Sequence, residues 1–218
     1  MRSLEELIEH QEPGMELIRD WLAEAETVCE LLPPSSVRGE CLHQLQVTTR
    51  SPMGALVYDS GGLFVDHGWL RFPGSGHPRL SRDLPGWNRR MNCEGFLLVA
   101  DDVLGGFFAI NGGGLGDERG GVCYLPYDGL NWESLGVSFS QFLAWSFTPA
   151  LEGFYGADRW EGWQDDVKSL SGDQCFSFYP FLWTEEGSVS SSSRAVVPVR
   201  EAYELKMEIR RQLLGDGS

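Results

Sequence analysis

Three short apolar runs, at residues 96–100, 107–110 and 122–125, constrain the fold of this chain more than any other feature. A continuous apolar run of four to eight residues is typical of a strand that is buried on both faces. Helical patterns do not alternate with these runs, so the repeated strand–helix–strand order of a doubly wound parallel sheet is missing. We therefore predict an α+β fold with a mostly antiparallel, mixed sheet that is flanked by helices.

Apolar residues at helical spacing predict the helices around this sheet, which we place at residues 4–8, 17–32, 52–59, 139–147, 151–155 and 198–213. Pro33-Pro34 ends the second helix, and Gly61-Gly62 is expected to cap the third in the left-handed conformation. A strand at 55–58 is the alternative to that third helix. Ser138 and Gln141 predict a capping box at the fourth. The last helix is expected to turn four side chains inward, those of Ala202, Leu205, Ile209 and Leu213.

The remaining segments give weaker signals. Leu63–Asp66 and Trp69–Phe72 predict a hairpin across a two-residue turn. The aromatic segment Cys175–Trp183 is expected to be extended. Residues 37–50 are ambiguous, and residues 73–92 are expected to form a loop or a short helix.

The charge of the chain limits the partners it can bind. The 32 Asp and Glu residues outnumber the 17 Lys and Arg residues, which gives a net charge of −15. Such a surface repels nucleic acid and anionic lipid, and it attracts a basic protein partner. The acids concentrate in residues 1–30 and 150–186. Residues 68–90 instead hold five arginines and one aspartate, and we expect these arginines to be paired with acids inside the fold.

The length and the cysteines predict a single cytoplasmic domain. A chain of 218 residues can bury a core without disulfides, and no linker divides this one. Its five cysteines are widely spaced and form no C-x-x-C motif, so neither a disulfide framework nor a zinc site is expected. A signal-peptide run and a stretch of about 20 apolar residues are both missing, so no membrane association is expected. We expect no cofactor.

The segment after Asn111 is rich in glycine and is the first candidate for chemistry. A phosphate-binding P-loop needs Gly-Lys-Ser/Thr, but Gly116 is followed by Asp117, which repels phosphate. Asp101 and Asp102 follow a buried strand, where carboxylates can bind a divalent cation with help from Asn111, Asp117 or Glu118. Adjacent strand residues point to opposite faces, however, so Asp101 and Asp102 cannot easily share one ion. A turn with solvated acids is the simpler interpretation.

No other pattern points to catalysis. The four histidines lack metal-binding spacing, and no Gly-x-Ser-x-Gly occurs. Trp160 and Trp163 are candidate aromatic anchors for a partner, and Glu161, Asp165 and Asp166 would surround them with negative charge. The alternative is that both tryptophans pack internally.

Five segments together are similar to one bacterial family. They are QVTTRSPMG at 46–54, GWLRF at 68–72, ADDVLGGFFAINGGGLGD at 100–117, NWE at 131–133 and YPFLW at 179–183. They resemble the family catalogued as domain of unknown function 2625, nearly from end to end. That family has no established activity, so the resemblance implies no site residues.

A weaker resemblance extends to the SUKH superfamily. It rests on Leu32-Pro33, on the predicted helix that closes at 60–62, on the three apolar strands and on Phe142-Leu143. SUKH domains are α+β, and many act as immunity proteins that neutralise bacterial toxins, nucleases among them. The resemblance implies one domain over 1–218, with a SUKH-like core at about 15–147 and a C-terminal extension, 148–218, packed on it.

These observations predict a non-enzymatic domain that binds a protein, such as an immunity-type neutraliser of a basic toxin. An enzyme, or a metal- or small-molecule-binding protein with a carboxylate site near residues 111–117, is the alternative. A homodimeric scaffold with an aromatic pocket is a third hypothesis.

Overall fold

The chain is built around a seven-stranded sheet. A computed structural model describes residues 1–214. The strands follow one another across the sheet in chain order, and each neighbouring pair is antiparallel, which confirms the predicted α+β class. They are β1 (Cys29–Leu32), β2 (Gly62–Val65), β3 (Leu70–Pro73), β4 (Phe96–Asp102), β5 (Phe107–Asn111), β6 (Gly121–Leu125) and β7 (Glu133–Ser138).

Helices and a small second sheet surround these strands. The helices are α1 (Leu4–Leu7), α2 (Gly14–Ala23), α3 (Arg38–Leu45), α4 (Pro52–Asp59), α5 (Leu84–Arg90), α6 (Phe139–Trp145), α7 (Ala150–Tyr155), α8 (Trp163–Ser169) and α9 (Val199–Leu214). The second sheet pairs β8 (Gln174–Tyr179) with β9 (Ser193–Pro198). None of the helices within residues 1–214 combines the length and apolar character that a membrane span requires.

The large sheet is covered on both faces. Phe108 on β5 belongs to the larger core cluster and stacks on Phe142 of α6 at 4.6 Å between ring centroids. Its neighbour Phe107 points to the opposite face and meets Tyr203 of α9 at 4.9 Å. Burying one such aromatic side chain stabilises the fold by roughly 1.5–3 kcal/mol. Burial of both faces explains why the central strands read as continuous apolar runs.

The C-terminal third contributes to the same core. Tyr155, Trp163 and Phe176 all belong to the larger cluster, beside residues of α2 and α4. Residues 148–178 therefore pack directly on the sheet and its helices.

The N-terminal helix is shorter than the sequence predicted. α2 ends at Ala23, and Cys29–Leu32 forms the edge strand β1, with Cys29 opposite Val65 and Leu32 opposite Gly62. The predicted helix up to Leu32 was therefore wrong. Local apolar spacing fits a helix here, but the backbone groups of this segment are satisfied by pairing with β2, about thirty residues away in the chain.

The predicted helix at 52–59 is confirmed as α4, but its predicted glycine cap was wrong. Ser60 ends the helix in an extended conformation. Gly61 donates its N–H to the carbonyl of Leu32 at 2.9 Å, and a Cβ at this position would lie 2.5 Å from the carbonyl oxygen of Pro33. This glycine is required by the close approach of two chain segments and not by a helix cap.

Most of the remaining predictions are confirmed. The hairpin is β2–β3, and the three apolar runs are β4, β5 and β6. The ambiguous segment 37–50 contains α3, and 73–92 contains α5. The helix α8 and the strands β7 and β9 were not predicted.

The last helix turns a different face inward than the sequence predicted. Leu205 and Leu213 are 41% and 68% exposed, whereas Tyr203 and Lys206 are buried. The prediction of an inward leucine face was wrong because Tyr203 packs on Phe107 of β5 and Lys206 reaches the carbonyl of Pro126, just after β6. Each of these side chains has a long apolar stem.

The capping box of α6 provides a test of the fold. Ser138 Oγ accepts a hydrogen bond from the N–H of Gln141 at 3.4 Å, and Gln141 Oε1 accepts one from the N–H of Ser138 at 2.9 Å. Ser138→Ala removes the acceptor and is expected to lower the free energy of unfolding by about 1 kcal/mol. Ser140→Ala, inside the same helix, is the control and is expected to change it by less than about 0.5 kcal/mol. Urea denaturation measures both, and equal losses would contradict a capping role.

Candidate functional site

Two arginines and two aspartates form a buried network on one face of the sheet. Arg71 on β3 lies opposite Asp101 on β4 in the strand register and pairs with it. Arg82 Nη1 lies 2.7 Å from Asp101 Oδ2, and Arg82 Nε lies 3.0 Å from Asp173 Oδ1. Arg71 also donates to the carbonyl of Gln174. The network therefore joins the sheet to the start of β8.

The arginines of residues 68–90 largely find acids within the fold, as the sequence predicted. Arg71 and Arg82 are buried with Asp101, and Arg79 pairs with Glu30 at the surface. Burial raises the pKa of Asp173, but hydrogen bonds from Ser81 and the charge of Arg82 outweigh it, so the pKa is lowered overall. The oxygens of Asp173 are already bound by Ser81 and Arg82, so its charge has a structural role.

The carboxylate of Asp102, on the opposite face from Asp101, closes the β4–β5 turn. Its Oδ1 accepts hydrogen bonds from the N–H groups of Leu104 at 2.9 Å and Gly106 at 2.8 Å. Its Oδ2 accepts from the hydroxyls of Tyr124 at 3.1 Å and Tyr155 at 2.9 Å. Burial raises the pKa of Asp102. Four donors surround this carboxylate, so little of its surface is left for a metal ion.

Lys206 of α9 lies near this carboxylate and is only 1% exposed. Its Nζ donates to the carbonyl of Pro126 and, at 3.4 Å, to that of Gly105. Burial lowers the pKa of Lys206 to about 7, while the charge of Asp102 acts in the opposite direction. The cavity beside it has a volume of about 30 Å³, which holds a water or two but no substrate. Sequence analysis missed this residue because a lysine on a helix is normally exposed.

The side chain of Asn111 organises the glycine-rich turn from within. Its Oδ1 accepts from the N–H groups of Gly113 and Leu115 at 2.7 and 3.0 Å. Its Nδ2 donates to the carbonyls of Gly116 and Glu118 at 2.9 and 3.1 Å. Both ends of the amide are therefore used to hold the turn between β5 and β6.

The carboxylates considered for a ligand site lie apart. Asp101 pairs with Phe107 at one end of β5, whereas Asn111 lies at the other end, roughly 13 Å along the strand. Asp117 is exposed in the glycine turn, and Asp102 faces away from Asp101. Across residues 1–214, no three His, Cys, Asp or Glu side chains come close enough together to hold a metal ion.

The cysteines are free and unreactive. Burial raises the pKa of Cys29, Cys41 and Cys175 to about 12 and that of Cys93 to about 11. Burial also raises the pKa of Cys123. Because the thiolate is the nucleophilic form, none of these thiols is activated at neutral pH.

The two tryptophans proposed as anchors lie largely inside the protein. Trp163 packs edge-on against Trp69 at 5.1 Å and is buried. Trp160 is half-buried, and its Nε1 donates to Asp166 at 2.6 Å. The guanidinium of Arg194 covers its ring at 3.8 Å. Neither ring forms a flat exposed anchor.

The three acids around these tryptophans lie on α8 and the turn before it. Glu161 is exposed, and the side chain of Asp165 is 91% exposed. Asp166 is more engaged, because it also pairs with Arg194 at 3.2 Å. The structure therefore brings all five proposed residues together, with the rings turned inward and two of the acids facing solvent.

A cleft of about 380 Å³ lies beside α8, and we call it the acidic cleft. Its ionisable walls are Glu26 from the α2–β1 connection, Asp66 and His67 from the β2–β3 turn, and Glu152 and Arg159 from the α7–α8 region, with Trp163 beside them. Arg159 pairs with both Asp66 and Glu152. The acidic segments 1–30 and 150–186 therefore meet at one site. Sequence analysis identified both segments but not their meeting place.

Comparison with known proteins identifies relatives along the whole chain. Residues 4–202 match the family described as "Protein of unknown function DUF2625". The chain is 46% identical over 213 residues to "Putative uncharacterized protein YbfG" of Escherichia coli K12, which covers 96% of this chain and 98% of that protein. It is 36% identical over 219 residues to an "Uncharacterized protein" of Haemophilus influenzae, covering 97% and 93% respectively. Neither name describes an activity.

The buried network predicts a large difference between two aspartates. Asp101→Asn removes the charge that compensates Arg71 and Arg82, and it is expected to lower the free energy of unfolding by about 3–5 kcal/mol. Asp117→Asn makes the same chemical change in the exposed turn and is expected to alter it by no more than about 0.5 kcal/mol. Chemical denaturation measures both. A mild effect at Asp101 would show that the network contributes little.

The buried lysine predicts a specific pH dependence. The pKa of Lys206 is about 7 in the folded protein and 10.5 when unperturbed, so between these values the unfolded chain binds a proton that the folded one lacks. Stability should therefore rise with pH in this window. Relative to Lys206→Met, which has no such proton, the wild type should gain about 2 kcal/mol from pH 7 to pH 9. Parallel pH profiles of unfolding would contradict this assignment.

Proposed function

The chain belongs to the DUF2625 family, and for this member we propose a protein-binding function in which the acidic cleft receives a basic side chain of the partner. The observation that carries the proposal is the meeting of two acidic segments, far apart in sequence, at one cleft beside α8. The function requires no catalytic residue. We place it in the cytoplasm, as the sequence predicted.

The side chains of the cleft have the chemistry that recognises lysine or arginine. Three carboxylates, those of Glu26, Asp66 and Glu152, face one guanidinium. Arg159 provides an internal example of such binding, because it pairs with two of these acids and lies 4.4 Å from the ring centroid of Trp163. One guanidinium cannot neutralise three carboxylates, so negative charge remains in the cleft that can bind a second cation.

The negative electrostatic potential around the cleft also favours a basic protein partner. The net charge of −15 attracts a basic protein from a distance and increases its rate of association at low salt. Glu161 in the turn before α8 and Asp165 on α8 are exposed and extend the negative surface. The buried Trp163 supports the wall from behind, so the carboxylates, and not the tryptophans, are the groups that we propose to make contact.

An immunity-type role is the specific form of this proposal in which the partner is a toxin. It rests on the weaker resemblance to the SUKH superfamily and on charge complementarity with a surface that grips phosphate. A ligand site near residues 111–117 has no comparable support, because Asn111 is fully used in holding the turn.

Removal of charge from the cleft tests the proposal. The probe is a short arginine-rich peptide, and its affinity for the full chain is measured by isothermal titration calorimetry. The double variant Glu26→Gln and Glu152→Gln is expected to weaken binding by about two- to fivefold for each charge removed. Binding to the wild type should also weaken as salt rises toward 0.15 M, where the Debye length is about 8 Å.

The control has to separate the cleft from the net charge. Glu94 is an exposed acid in the α5–β4 connection, and Glu5 is an exposed acid in α1. Glu94→Gln combined with Glu5→Gln removes the same two charges elsewhere and should change the affinity much less. If both double variants lose affinity equally, the cleft is not the binding site and the proposal fails.

A further inference from the structure

A second cavity, with the opposite charge, adjoins the acidic cleft. This cavity has a volume of about 280 Å³ and shares Val28 and His67 with the acidic cleft. Helix α8 runs along both, because Trp163 lines the acidic cleft and Lys168 lines the second cavity. The two cavities therefore adjoin each other between β1, the β2–β3 turn and α8, and we refer to the pair as the bipolar groove.

The second half of the groove is basic. Its ionisable walls are Arg71, Arg79, Lys168 and His67 against a single acid, Glu30. Asp101 already compensates Arg71, so Arg79 and Lys168 are the cations available to a ligand, and they outnumber Glu30. This excess of positive charge is unusual for a chain whose net charge is −15. Arg79 pairs with Glu30, and Lys168 lies 3.8 Å from Asp165, but all four side chains are more than half exposed. Such pairs are weak in water, so a ligand carboxylate can compete for the two cations.

Each half of the groove also holds a buried donor without an acceptor. The side chains of Arg71 and Arg159 are 2% and 9% exposed, and the Nε of each has no hydrogen-bond partner among residues 1–214. An unpaired buried donor is costly and rare in folded proteins. Both Nε atoms are fully buried, so a partner could supply their acceptors only if its binding shifts the walls of the groove.

We propose that the bipolar groove binds an extended peptide segment of the protein partner, with a basic side chain in the acidic half and a carboxylate in the basic half. This inference rests on the proposed function and specifies the partner further. Glu26 and Glu30 line the two halves and are four residues apart in the chain, so their Cα atoms are separated by at most about 14 Å. We therefore expect the two charges of an extended partner segment to lie within a few residues of each other.

Three synthetic peptides test this arrangement with the full chain. The first carries one arginine followed about three residues later by one glutamate, which suits the length of the groove. The second reverses the order, and the third has glutamine in place of glutamate. All three have blocked ends, so the glutamate side chain is the only carboxylate that distinguishes the first two from the third. Affinities are measured by isothermal titration calorimetry.

The expected result is a preference for both charges in one order. One of the two arginine–glutamate peptides should bind about two- to fivefold more tightly than the arginine–glutamine peptide. The double variant Arg79→Ala and Lys168→Ala should abolish this preference and leave the affinity for the glutamine peptide unreduced. The charge-matched control, Arg90→Ala combined with Arg200→Ala at exposed positions of α5 and α9, should retain the preference.

The outcomes distinguish the two proposals. Equal affinity for the glutamate and glutamine peptides, or an equal effect of the control variant, would overturn the bipolar groove and leave the acidic cleft standing. If Glu26→Gln with Glu152→Gln does not weaken binding of the arginine–glutamine peptide, the proposed function itself fails.

Discussion

The pairing of Asp101 with Arg71 and Arg82 is the interaction on which the rest of the structure depends. Three charges are removed from water there, and each would cost several kcal/mol without its partners. The network closes only when Asp173 and the carbonyl of Gln174 are also in place. The start of β8 is thereby fixed against the sheet. Because α8 ends only a few residues before this point, the network also determines where α8 lies over β1 and the β2–β3 turn.

Asp102, the next residue, attaches a second part of the chain on the other face. Its carboxylate binds the hydroxyl of Tyr155 from α7 and influences the charge of Lys206 from α9. Two adjacent acids at the end of β4 therefore hold the C-terminal third from both sides of the sheet. Asp101 and Asp102, which together resemble a metal site in the sequence, therefore face opposite sides of the sheet, and their oxygens are engaged by arginines, tyrosines and backbone N–H groups.

Sequence reasoning succeeded where the determining interactions are local or follow from the alternation of side chains along a strand. The apolar runs predicted β4, β5 and β6, and the alternation of a strand placed Asp101 and Asp102 on opposite faces. It failed where a distant segment decides the outcome, as at β1, whose backbone pairs with β2. Lys206 was missed for the same reason, since its acceptors are carbonyls eighty and more residues away. The acidic segments were visible, but the cleft they form depends on tertiary packing.

The groove beside α8 combines a rigid base with adaptable walls. Its base consists of buried groups such as Trp163 and Arg71, which packing and ion pairs hold in place. Its rim consists of long, exposed side chains such as Arg79 and Lys168, whose pairs with acids are weak in water. Changes at the rim can therefore alter which charges the groove prefers without disturbing the core. A surface of this kind suits a binding protein, because partner preference and fold stability rest on different residues.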